Sequence, residues 1–153
     1  MASQSDINQL IDVFNAQIQL LTDTIAKKFP EIKELNIAKN ALSMAMMLGK
    51  RYILKQYAKT VYIYDKEITN ENEDFFLNKD FANDIKKVID EKEDVSETMS
   101  LIDYFKQILR SNKVDAKFKK HVWSQLQLFN VICDKTLTII KKDNELLVKF
   151  NDE

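Results

Sequence analysis

One glycine (Gly49), one proline (Pro30), one cysteine (Cys133) and one histidine (His121) are all that 153 residues hold of these four types. Each shortage excludes something. Sandwiches, barrels and doubly wound α/β folds need many turns with positive φ, which glycine supplies at the lowest steric cost. A Rossmann fingerprint or a P-loop needs several glycines in one short stretch. A lone cysteine forbids an intrachain disulfide and fits a reducing compartment. Zinc sites need several Cys or His ligands at short spacing. The first six residues, Met1 to Asp6, show no basic segment followed by an apolar run, so no secretory signal is expected. The longest apolar run, Ala41 to Leu48, is interrupted by Ser43 and falls far short of the ~20 residues that span a bilayer. The expected setting is intracellular and reducing, without a membrane span.

What is present is the composition of a folded helical protein. Hydrophobic residues make up 45% and charged residues 31%, the globular range rather than the disordered one. Chains of this length bury roughly 70% of their extended surface on folding, so residues 1–153 are expected to form a single helical-bundle domain without metal or disulfide. Net charge is only −1, but it is segregated. Residues 65–97 carry 12 acidic and 5 basic groups, and residues 98–142 carry 9 basic and 3 acidic. Such a split either pairs internally or meets partners of both signs.

Hydrophobic spacing is helical from end to end. Ile7, Ile11, Phe14, Ile18, Leu21 and Ile25 recur at steps of 4 and 3, an a/d seam about three heptads long. Pro30 ends that helix and permits a second to start. Ile32, Leu35, Ala38, Leu42 and Ala45 follow, and with Met44, Met46 and Met47 the second helix is apolar nearly all round, which predicts a central position. Ala41, Ala45 and Gly49 form a small-residue row at i, i+4, i+8, a candidate helix-packing interface. Ile53, Tyr57, Val61, Tyr64 and Ile68 continue a third helix through a run of strand formers, Thr60 to Tyr64, that has nothing to pair with as a lone strand. Phe75, Phe76, Leu77 and Phe81 make an aromatic plug after the polar break at Asn70 to Asp74. The acidic stretch Asp90 to Asp94 is expected as a mobile loop, and capping boxes at Asp94–Glu97 and Ser100–Asp103 mark the next helix, with Met99, Ile102, Phe105 and Leu109 inside. Ser111–Lys113 is a turn, and Asp115 is placed to cap a last long helix carrying Phe118, Val122, Leu126, Phe129, Cys133 and Ile140. Leu146, Leu147 and Phe150 either extend it or fold back.

Few residues carry recognisable chemistry. His121 and Cys133 are twelve residues apart on one expected helix, about 18 Å by helix rise, too far for a nucleophile–base pair. Cys133 falls on the apolar stripe. Asn70, Asn72 and Asp74 have calcium-loop spacing but lack the following glycine, and position twelve is Phe81 rather than Glu. No Glu-x-x-His pair exists for a di-iron bundle. Two basic groups remain as candidate anion- or partner-binding faces. Arg51, Lys55 and Lys59 repeat every fourth residue. Lys106, Arg110, Lys113, Lys117 and Lys120 cluster with Lys119 around the last interhelix turn, where lysines in a helix's first turn oppose its dipole. A pI near 5.9 argues against a strong nucleic-acid binder.

Ile68-Thr69-Asn70-Glu71-Asn72-Glu73-Asp74-Phe75-Phe76-Leu77 through Phe81, the segment Phe118-Lys119-Lys120-His121-Val122-Trp123 through Phe129, and the earlier Phe29-Pro30 together resemble small helical proteins of large nucleocytoplasmic DNA viruses. In those, an acidic-Phe-Phe-Leu segment precedes a Lys-rich, Trp-bearing last helix. The chain departs at Ser124, where an aromatic follows the Trp in that pattern. The resemblance implies a viral protein acting in the host cytoplasm or the virion, and carries no implication about catalysis.

The sequence therefore predicts an all-α, antiparallel bundle of about five helices, with Phe14, Ile18, Leu42, Ile53, Phe105, Val122, Leu126 and Phe129 in the core. The expected function is a non-enzymatic structural or protein-interaction module, partnered by another protein or by itself, with no cofactor or metal. The alternative is binding of nucleic acid or an acidic partner through the basic faces. Carboxylates gathered by folding into a catalytic pair are a third reading.

Overall fold

Ile7, Ile11, Phe14 and Leu21, four of the six seam positions, are buried along one face of helix α1 (Gln4–Lys28), and Ile18 and Ile25 are half-buried beside them. The 3.5-residue spacing keeps these side chains on one side over about five turns. The computed structural model describes residues 4–88, 103 and 105–152. Every regular element among them is helical, so the fold is all-α as predicted.

A short connection around Pro30 leads to α2 (Lys33–Leu48), which packs against α1. Lys50 pairs with Asp12 at 2.7 Å, and Lys39 with Asp23. One partner number rises as the other falls, so the two helices run antiparallel. Then come α3 (Tyr52–Thr60), a 3₁₀ turn at Tyr62–Tyr64, α4 (Asp65–Thr69), α5 (Glu73–Asn78), α6 (Ala82–Val88), a helix over residues 105–110 (α7), α8 (Ala116–Lys141) and α9 (Asn144–Asp152). The stretch of strand formers after Thr60 becomes the 3₁₀ turn, which breaks the predicted third helix into three pieces. α1, α2, α3, α7 and α8 lie where periodicity places helices, and shorter helices fill the intervals.

The chain divides into two compact units, Met1–Ala58 with Leu128–Glu153, and Lys59–Gln127. In the first, Phe14, Tyr57 and Phe129 meet edge-on in a triangle with centroids 5.4, 5.4 and 5.9 Å apart, the arrangement that the ring quadrupoles prefer. Cys133, Thr136 and Ile140 continue the buried line down α8, where the Thr136 hydroxyl donates to the Ile132 carbonyl at 2.8 Å. Asp143 accepts from the backbone of Glu145 and Leu146 and so starts α9 as a separate helix, with Leu146 and Phe150 buried.

In the second unit, Ile68, Phe76, Phe81, Leu109 and Trp123 form the core, with Tyr64, Phe75 and Phe105 packed against it. The predicted aromatic plug is real, but it belongs to the centre of this unit rather than to a bundle end. Local signals place it there. Glu71 adopts a positive φ of 50° in the turn after α4, and Asn72 Oδ1 accepts from the Phe75 amide at 3.2 Å to start α5. Asp115 Oδ1 accepts from the Phe118 amide at 2.8 Å, the cap expected for α8. The Asp90–Asp94 loop and both capping boxes, apart from Asp103, lie outside the described residues, as do Met99 and Ile102.

Of the eight predicted core residues, Phe14, Val122 and Phe129 are buried and Ile18, Leu42, Ile53, Phe105 and Leu126 half-buried. On α3 Tyr57 of the predicted stripe is buried, with Leu54 rather than the half-buried Ile53 completing the face. The larger departure is α2. It buries only Leu35, so it is peripheral rather than central.

Candidate functional site

The basic residues singled out by spacing do not form two open faces. Arg51 is buried. Its guanidinium donates to the Lys149 carbonyl at 3.0 Å and lies 5.9 Å from the Phe150 ring centre, with Lys55 Nζ 5.7 Å from the same ring. A cation on a carbonyl in the last turn of α9 offsets that helix's negative end, so these two residues hold α9. Lys59 is exposed on α3 but belongs to the other compact unit.

The second group is largely engaged too. Lys106 donates to the Lys79 carbonyl at 2.7 Å and Arg110 to the Leu77 carbonyl at 3.2 Å, closing the end of α5. Lys119 pairs with Glu73 at 2.7 Å and Lys120 with Glu71 at 2.5 Å. The acidic centre and the basic arm thus meet within one unit. Lys113 and Lys117 are exposed, as is His121, while Cys133 is buried and in no disulfide.

One polar constellation combines several ionisable groups. The Tyr64 hydroxyl donates to Asp84 Oδ2 at 2.6 Å, and Lys79 reaches the same oxygen at 3.1 Å. The Tyr64 bond, followed by Lys79, lowers the carboxyl's pKa, whereas burial and then Asp84 raise that of the phenol. Both groups move away from neutrality, the opposite of what proton transfer at neutral pH requires. The arrangement fixes α6. Among the described residues no group of three or more His, Cys, Asp or Glu could hold a metal ion, and no helix is long and apolar enough to cross a membrane.

The open surface is the outer side of α2, which the sequence marks only by its methionines. Ile37 and Met44 are each 64% exposed, Met47 86% and Leu48 90%. Ile37, Ala41, Met44 and Leu48 recur at steps of 4, 3 and 4, an a/d pattern on the side away from buried Leu35. The predicted small-residue row runs obliquely to it: Ala41 lies exposed on this stripe, while Ala45 and Gly49 are half-buried. Gly49 ends the helix with its amide on the Ala45 carbonyl at 3.0 Å, in extended conformation. The signal was present, since an all-round apolar helix must have a second stripe. Whether anything covers that stripe is a tertiary fact.

Contiguous apolar side chains of this size are rarely left in water on a monomer unless they serve association. No protein-family model matches the chain, and neither a curated protein nor a solved structure is significantly similar to it.

Proposed function

We propose that the chain is a non-enzymatic protein-interaction module whose contact face is the outward stripe of α2. One observation carries the reading: a 16-residue helix buries a single residue and turns Ile37, Met44, Met47 and Leu48 to solvent. Burying a side chain of this kind is worth about 1.5–3 kcal/mol, so four of them supply a substantial driving force for association. Methionines also adapt their shape to a partner at little cost. The resemblance to viral helical proteins suggests the infected cell or the virion as the place where such a module works. The basic faces support the alternative of anion binding less well, because most of their cations already serve carbonyls, carboxylates or rings of the same chain.

The reading is tested by lysine cross-linking and mass spectrometry in lysate of the source cells, comparing the wild type with Leu48→Glu. Lys33 and Lys50 lie near the two ends of the stripe and should give intermolecular links that the variant loses. Links concentrated elsewhere, or unchanged by the variant, would refute it.

A further inference from the structure

We propose that the occupant of the α2 stripe is a second copy of this chain, packed antiparallel about a twofold axis. The inference rests on the interaction reading above and adds the partner's identity and orientation. Its first support is the pattern itself. The steps 4, 3, 4 read the same from either end, so a reversed copy presents matching positions. An axis beside the middle of the stripe sets Ile37 against Leu48 of the second copy, and Ala41 against its Met44. A small side chain then faces a long one at both central contacts, which lets the layers interdigitate.

The second support is charge. Between residues 35 and 49 the only charged side chain is Lys39, which pairs with Asp23 on α1. The stripe therefore offers a strongly charged partner nothing to pair with. Its ends differ in sign: Glu34 is exposed at one, and Lys50 (which also reaches Asp12) is exposed at the other. Lys33 sits on the flank opposite Glu34. Antiparallel pairing sets Glu34 near Lys50 of the second copy, twice over. Parallel pairing sets Glu34 against Glu34 and Lys50 against Lys50, so like charges oppose it. The stripe is short beside the roughly 800 Å² per partner of a standard interface, so the dimer belongs to the weak, concentration-dependent class.

The test is sedimentation equilibrium of the full chain from about 1 µM to about 1 mM, the range in which weak association is resolved. The wild type should pass from monomer to dimer. Met44→Glu and, independently, Leu48→Glu should weaken the dimer by about tenfold or more, because each would bury a charge. Asn36→Glu adds the same charge at an exposed position off the stripe and should change the dissociation constant by less than about twofold. Circular dichroism should show all three variants as helical as the wild type. Spin labels settle the orientation: Ser43→Cys, near the axis, should give a short label–label distance, and Asn36→Cys one longer by up to about 20 Å along the helix. Cys133 is buried and will not compete for the label.

A wild-type chain that stays monomeric throughout, a dimer indifferent to both stripe variants, or equal distances from the two labels would overturn the proposal. If the chain is monomeric yet keeps Leu48-dependent cross-links to other proteins, self-pairing fails and the interaction reading stands. If those links are absent as well, both fail.

Discussion

The hydroxyl of Tyr57 donates to Asn130 Oδ1 at 2.6 Å, with both side chains buried. The bond fastens α3 to α8 inside a shell formed by Phe14 and Phe129, whose rings meet the Tyr57 ring edge-on. Tyr57→Phe keeps the ring contacts and removes the donor. The expected cost is about 1–3 kcal/mol, the range for leaving a buried acceptor short of a partner. Urea denaturation should show a lower midpoint at unchanged slope. Tyr57→Ala, which also opens a cavity, should cost about 3–5 kcal/mol. A Tyr57→Phe variant as stable as the wild type would mean that water or a neighbour replaces the bond.

Trp123 is the only tryptophan and sits 5.7 Å from the Phe76 ring in the core of the second unit. Its emission should therefore be blue-shifted in the native protein, weakly quenched by iodide, and red-shifted on unfolding. Phe76→Ala should lower stability by about 3–5 kcal/mol and shift native emission to the red. A native spectrum resembling that of free tryptophan would contradict the packing of this unit.

How far the sequence carried can be judged from α1 and α2. On α1 the seam and the buried face coincide, because a helix with one apolar stripe has one way to bury it. On α2 the residues are apolar on several sides, and composition cannot say which sides find a neighbour, so a peripheral helix with a bare stripe reads like a central one. Arg51 illustrates the same limit for charge. Its i, i+4 spacing with Lys55 and Lys59 marks a candidate anion- or partner-binding face. Its burial depends on Phe150, nearly a hundred residues away, and no local pattern announces that contact. Caps were more legible, since Asp115 needs only its own next three residues to act.

The fate of the basic cluster gives a further prediction. Glu71 and Glu73 neutralise Lys120 and Lys119, so the wild type should be held weakly by heparin and elute at low salt. The double variant Glu71→Gln/Glu73→Gln frees both ammonium groups and should elute at clearly higher salt, as expected when more cations meet a polyanion. Identical elution of the two proteins would show that these pairs do not limit anion binding.

The carboxyl of Asp23 has its pKa lowered, first by the hydrogen bond from Lys39 and then by that from Lys27. A depressed folded-state pKa means that the native state holds the carboxylate more favourably than the unfolded chain does. The resulting stability is fully present above the ordinary value of 3.8 and is lost as pH falls below it toward the folded value. Both partners are substantially solvent-exposed, so the effect should be small and weakened by salt. Tyr64 has the opposite sign. Burial, and then the bond to Asp84, raise its pKa above 10, so its contribution is present below pH 10 and lost as pH rises beyond it. Asp23→Asn should flatten part of the acid limb of a stability–pH profile and leave the alkaline limb alone, whereas Tyr64→Phe should flatten the alkaline limb and, by removing the bond that lowers the Asp84 pKa, part of the acid limb as well. Thermal melts from pH 2 to pH 11 would separate them. If Asp23→Asn changed stability equally at pH 3 and pH 7, the carboxylate would not be the titrating element that ties α1 to α2.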